Sequence, residues 1–227
     1  MATISSRLKA DIRFQDGLKA CMNCGVCTAI CPAAAYFDYD PREICQDVQS
    51  GDESILIGLL KGEQIWMCGQ CLSCKTRCPR DNTPGYIIQV LRKISQEMGY
   101  FVHSRLGRQQ LLLKRAIGHS ILETGYCVHP KLIRPETHRE QGPVWEWVMD
   151  NAKEVYEKCG SLYYEEGLGG MRKIDSDTLD EMHAIFQETG AFNLFDKIEQ
   201  ASEAKAAEMG LSFSDDDDNE YLREIQL

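Results

Sequence analysis

The chain has 227 residues, 43% of them hydrophobic, with a formal net charge of -10 and 11 cysteines. That is enough apolar material for a packed core, yet no apolar run approaches the roughly 18 residues needed to cross a bilayer, which excludes a membrane span. The acidity is uneven: residues 1–130 hold 15 Lys+Arg against 12 Asp+Glu, residues 131–227 hold 10 against 23, and such a chain lacks the clustered basic charge that a nucleic-acid partner requires.

The N-terminus, MATISSRLKADIRFQDG, carries charge every few residues and has no apolar core of the secretory kind, so the expected compartment is the cytoplasm. Without an oxidising compartment, the cysteines point to metal or redox work rather than to a disulfide scaffold. A short lead-in, helical around Ser6 to Leu18, precedes a first cysteine group at Cys21; a second starts at Cys68. Between them Asp40-Pro41 opens a helix that continues through Val48, Gly51-Asp52 stops it, and Asp52 caps another that reaches Leu60. Thr83-Pro84 starts an amphipathic helix with Ile87, Ile88, Leu91 and Ile94 on one face, ending near Gly99. A further helix is expected over Ser104 to Leu122, with Leu111, Leu112, Ala116, Ile117 and Ile121 as its apolar side and Gly125 as its stop.

No segment alternates convincingly with period two, so the expected fold is mainly α. Past Pro130 the Pro and Gly punctuation and the charge balance change, which divides the chain into a domain of residues 1–130 and a helical C-terminal extension of residues 131–227. Helices are expected there over Trp145 to Tyr156, Thr178 to Glu188 and Phe195 to Met209. The run Ser214 to Asp218 reads as solvated and mobile, and the closing YLREIQL as a frayed end or a short docking helix.

Residues 21–32 read CMNCGVCTAICP and residues 68–79 read CGQCLSCKTRCP. Both are C-x2-C-x2-C-x3-C-P, the pattern that binds [4Fe-4S] clusters in two-cluster ferredoxins, with the fourth cysteine of each run serving the other cluster. The ligand sets are therefore Cys21, Cys24, Cys27 and Cys78 for the first cluster, and Cys68, Cys71, Cys74 and Cys31 for the second. Small residues at Gly25, Gly69 and Ser73 let backbone N–H groups approach cluster sulfurs, and Lys75, Arg77 and Arg80 partly offset the negative charge of the second cluster. Paired zinc sites in a non-redox interaction module are the competing reading, but zinc takes four ligands per ion and has no use for a third CxxC step or a trailing Cys-Pro.

Cys45, Cys127 and Cys159 stand outside any ligand spacing and read as buried structural thiols. His103, His119, His129, His138 and His183 form no metal-binding pattern. Trp66, beside a ligand, either shields a cluster from water or packs in the core. Trp145 and Trp147 sit two apart and cannot share one helix face, so one of them is free to meet a partner. Gly167 to Gly170 lacks both the preceding strand and the following Lys-Ser/Thr of a phosphate loop and reads as a turn.

The gap between the runs is long and helical, which argues for an α-helical ferredoxin domain. DPREI at 40–44, IWMCGQCLSCKTRCPR at 65–80 and PGYIIQVLRK at 84–93 resemble the C subunit of heterodisulfide reductase over about residues 15–125. The succinate dehydrogenase iron-sulfur subunit, related in fold, adds an N-terminal [2Fe-2S] domain for which there is no room before Cys21. The resemblance implies an electron wire between a flavin-containing A subunit and a B subunit with CCG motifs, where the sulfur chemistry occurs; this chain has no Cys-Cys pair, so catalysis belongs elsewhere. Because the methanogen C subunit usually ends soon after the helical domain, the extension is more similar to the heterodisulfide-reductase-like complex of sulfur-oxidising bacteria. The iron-sulfur subunit of a glycolate, lactate or glycerol 3-phosphate flavin dehydrogenase is the alternative within the redox class; CCG repeats in the same chain would favour it, and the sequence has none.

Overall fold

The computed structural model describes residues 3–130, 133, 135, 138, 141–215 and 219–226. Every regular element among them is helical, and they fall into two compact units, Met1–Arg108 and Gln109–Leu227.

In the first unit α1 (Ile4–Ala10) and α2 (Ile12–Gly17) form the lead-in, capped by the Thr3 hydroxyl and the Asp11 carboxylate. A single turn, α3 (Val26–Ala29), follows within the first cysteine run. Helix α4 (Pro41–Ser50) starts as its sequence demands: the Asp40 carboxylate accepts from the Arg42 and Glu43 N–H groups, Pro41 occupies the first helical position, and Gly51 ends it at φ +71°. Asp52 caps α5 (Glu53–Lys61) in the same way, and the Glu53 carboxylate reaches across to the free N–H groups of Ile4 and Ser5. After α6 (Gln64–Met67) and the second cysteine run comes α7 (Pro84–Glu97), the hub, packed by α1, α2, α4, α5 and α6. Its Ile87, Ile88, Val90 and Leu91 are wholly buried, each contributing about 1.5–3 kcal/mol from area removed from water. The unit closes with α8 (Arg105–Arg108), whose first N–H groups are held by the Glu63 carboxylate.

The second unit holds α9 (Gln110–Leu113), α10 (His119–Thr124), α11 (Val144–Asp150), α12 (Ala152–Lys158), α13 (Ser176–Glu188), α14 (Ala191–Met209) and α15 (Glu220–Gln226). The single helix expected over Ser104 to Leu122 is thus interrupted after Arg108, and residues 114–118 form one π-helical turn between α9 and α10. Lys114 and Arg115 of this turn both bind the Glu199 carboxylate of α14, at 2.7 Å and 2.8 Å. Gly118 leaves room for the Phe195 ring, which a Cβ there would meet at 2.9 Å.

Contacts of α9 with α14 and of α10 with α13 explain why the units divide at Arg108/Gln109, whereas composition changes near Pro130. The helix expected over Trp145 to Tyr156 is broken at Asn151 into α11 and α12. The closing segment docks: Tyr221, Leu222 and Ile225 of α15 are buried. Of the acidic run expected to be mobile, Asp216 to Asp218 lie outside the described residues.

Candidate metal centre

The two cysteine runs share a backbone. Asn23 and Gln70, each two residues after the first cysteine of its run, are left-handed at φ +60° and +53°; Gly25 and Leu72, each directly after the second cysteine, are left-handed at +78° and +58°. For a residue with a Cβ this costs about 1–2 kcal/mol, so Gln70 and Leu72 are held against their preference. Such alternation turns successive N–H groups toward one side and makes a concavity for negative charge. The Gln70 N–H donates to Cys68 Sγ at 3.4 Å. The second cysteine of each run, Cys24 or Cys71, is exposed, while Cys21, Cys27, Cys31, Cys68, Cys74 and Cys78 are half-buried.

One clamp ties the two runs to each other and another anchors the second run to α7. At one, the Thr83 N–H donates to Gly17 O at 2.7 Å, the Lys19 N–H to Asn82 Oδ1 at 2.7 Å, and Asn82 Nδ2 back to Ala20 O at 3.2 Å. Helix α4 supports the same end, with Cys21 N–H donating to Gln49 Oε1 at 2.8 Å and Gln46 Nε2 donating to Cys21 O. The segment just after Cys78 is thereby tied to the segment just before Cys21. At the other, Arg92 of α7 donates to Ile65 O at 2.6 Å and to Cys68 O at 2.7 Å, with its guanidinium 5.5 Å from the Trp66 ring centroid. Gly85 lets Leu72 and the Cys74 sulfur come close to α7; a Cβ there would meet Leu72 Cδ2 at 2.8 Å.

Between the runs is a cavity lined by Cys31, Cys68, Cys71 and Cys74, the set expected for the second cluster, together with Cys27, Tyr39 and Ile88. Cys21, Cys24 and Cys78 do not line it. Burial pushes the Cys27 thiol up to about 11 and raises Cys74 as well, whereas Ser73 beside Cys71 lowers that exposed thiol. Thiols raised by burial bind as thiolates only with cationic help, which iron supplies.

Residues 17–82 match the 4Fe-4S dicluster domain family. The C subunit of a ferredoxin:CoB-CoM heterodisulfide reductase of Methanosarcina acetivorans is 32% identical over 192 residues, covering 84% of this chain and 70% of that one. The chain belongs to the heterodisulfide reductase C subunit family. The C2 subunit of the H(2)/formate:CoB-CoM heterodisulfide,ferredoxin reductase of Methanococcus maripaludis is 26% identical over 152 residues, 67% of this chain and 78% of the relative. A second iron-sulfur C subunit of CoB--CoM heterodisulfide reductase, from Methanocaldococcus jannaschii, is 32% identical over 104 residues, 46% of this chain and 53% of the relative.

As a dicluster C subunit, the chain carries two [4Fe-4S] clusters, and its residues fit them. The Tyr39 hydroxyl is buried without a hydrogen-bond partner and faces the Cys68 and Cys31 thiols, so the cavity offers a donor that a sulfur-rich anionic group would accept. Among the described residues no three His, Cys, Asp or Glu side chains converge at the spacing of a single metal ion.

The match to the Methanosarcina protein, at 84% of this chain, necessarily runs well past residue 130, so an extension beyond the helical domain is not peculiar to sulfur oxidisers. Elsewhere Cys45 is buried as expected, but Cys127 and Cys159 are exposed, the one in the loop after Gly125 and the other at the end of α12. Trp66 is buried under Arg92, beside Gly107. Trp145 donates from Nε1 to Ile133 O at 2.7 Å, leaving Trp147 as the exposed partner of the pair. Gly167 to Gly170 sits in a turn closed by Leu162 N–H to Gly170 O.

Sequence reasoning missed Tyr39, Asn82 and Arg92. Arg92 had a signal, since it falls four residues after Ile88 on the apolar face of α7, where a cation needs a reason to be. The other two lie in short loops without periodicity.

Proposed function

We propose that this chain relays single electrons between a flavin-containing A subunit and a B subunit carrying CCG motifs, in a cytoplasmic heterodisulfide-reductase-like assembly of sulfur metabolism. The first cluster takes Cys21, Cys24, Cys27 and Cys78, and the second takes Cys68, Cys71, Cys74 and Cys31. Bound at these sets, the clusters supply one-electron transfer without bond chemistry.

The observation that carries this reading is the paired, backbone-matched cysteine runs with one exposed cysteine each. Cys24 and Cys71 give each cluster an edge open to a partner, while α4 and α7 hold the remaining thiols from behind. Exposed Trp147, with Val144 beside it on α11, offers an apolar contact for a neighbouring protein of the assembly. A sulfur-oxidising role rested on the length of the chain, and the Methanosarcina match leaves it no advantage over disulfide reduction.

The test is anaerobic purification of the tagged chain from its own cells. Brown protein with about eight irons, co-purifying with a CCG protein and a flavoprotein, is the expected result. Colourless zinc protein, or brown protein that captures neither of them, would sink the proposal.

A further inference from the structure

We propose that the Tyr39 hydroxyl donates a hydrogen bond to the sulfur of Cys68 and thereby holds the second cluster at a higher reduction potential than its ligands alone would give it. The inference rests on the reading that Cys68 ligates a cluster. Tyr39 lies in the loop between Cys31 and α4 and is 4% exposed. Its hydroxyl has no hydrogen-bond partner, and it lines the same cavity as Cys31, Cys68, Cys71 and Cys74.

A phenol buried without a partner is unfavourable, and phenylalanine would fill the same space without that cost. What the hydroxyl faces is one of the two places in the unit where negative charge accumulates when an electron arrives. A donor to a ligating sulfur favours the reduced, more negative form and raises the potential. The Cys68 sulfur is already approached by the Gln70 N–H, and the Cys68 carbonyl is held by Arg92, which brings a positive charge to the same side. The first set has its own donor, the Thr28 N–H beside Cys27, while the Thr28 hydroxyl donates to the Asp40 carboxylate; the Tyr39 phenol belongs to the second set alone.

The experiment is a potentiometric titration of both clusters by electron paramagnetic resonance, in the anaerobically purified wild type and in Tyr39→Phe. Expected is retention of both clusters, with the second shifted down by a factor of roughly ten in its oxidised-to-reduced equilibrium, about 59 mV for a one-electron couple, and the first unmoved. 3-Fluorotyrosine installed at position 39 is a stronger donor and shifts the second cluster upward, a sign reversal that a packing role cannot produce. Should Tyr39→Phe lose iron, the fluorotyrosine protein decides alone. An unchanged second potential, or a shift confined to the first cluster, overturns the proposal while leaving the electron-relay reading standing. A wild type without clusters overturns both.

Discussion

The Lys19 N–H donates to the side-chain oxygen of Asn82 at 2.7 Å, across 63 positions of sequence. With Asn82 Nδ2 returning to Ala20 O, this one buried amide ties the start of the first cysteine run to the end of the second. Asn82→Ala would leave the Lys19 N–H and the Ala20 carbonyl short of partners, at a cost of about 1–3 kcal/mol. The expected outcome is selective loosening of the cluster that draws on Cys21 and Cys78. Anaerobic iron-release kinetics should show about four irons leaving faster than in the wild type, with the remaining four unaffected.

Single cysteine replacements report the ligand sets. Cys24→Ser should remove the first cluster, and Cys31→Ser, although it lies in the first run, should remove the second; each variant should retain about four irons of eight. Iron analysis with spectroscopy of the surviving cluster separates the cases. Loss of the Cys21 cluster on replacing Cys31 would show that each run serves its own cluster.

Glu199 carries a pH dependence in the second unit. Burial works against its ionised form, but hydrogen bonds from Arg115 and Lys114 outweigh burial and hold the carboxyl below its ordinary value of 4.5. The folded value being depressed, the stabilisation is fully present above pH 4.5 and is lost as pH falls through the lower folded value. Glu199→Ala should cost about 3 kcal/mol near neutrality, because it removes the carboxylate that pairs with Arg115, 5% exposed in its side chain, and with Lys114. Urea midpoints of the two proteins, measured from pH 7 downward, should converge in acid; a gap that does not narrow would rule out the ion-pair origin.

Where the chain is cut should matter. We expect a chain ending at Arg108 to remain soluble with both clusters, since α1 to α8 supply the packing around the cysteine runs. Ending at Pro130 instead leaves α9, the π turn and α10 without α13 and α14, uncovering Leu111 and Arg115, both buried in the full chain. Size-exclusion chromatography of the two products should find the longer one aggregated. Equal behaviour would place the domain boundary at Pro130, where composition changes.

Local signals in this chain were self-sufficient wherever the chemistry is local. The runs CMNCGVCTAICP and CGQCLSCKTRCP name the cofactor because ligand spacing is a property of neighbouring residues; Asp40 and Asp52 mark helix starts because their carboxylates satisfy the orphan N–H groups just after them, and Pro84 marks one because its fixed φ suits the first helical position. Tertiary structure alone decided the rest. Lys114 and Arg115 of the 114–118 turn find Glu199 85 and 84 positions away, Tyr39 acquires a redox setting only because folding buries its hydroxyl against thiols 29 or more positions away in the second run, and the runs meet through Asn82. These are pairings between residues far apart in sequence, whose energies depend on burial and direction, and neither exists until the chain has closed on itself.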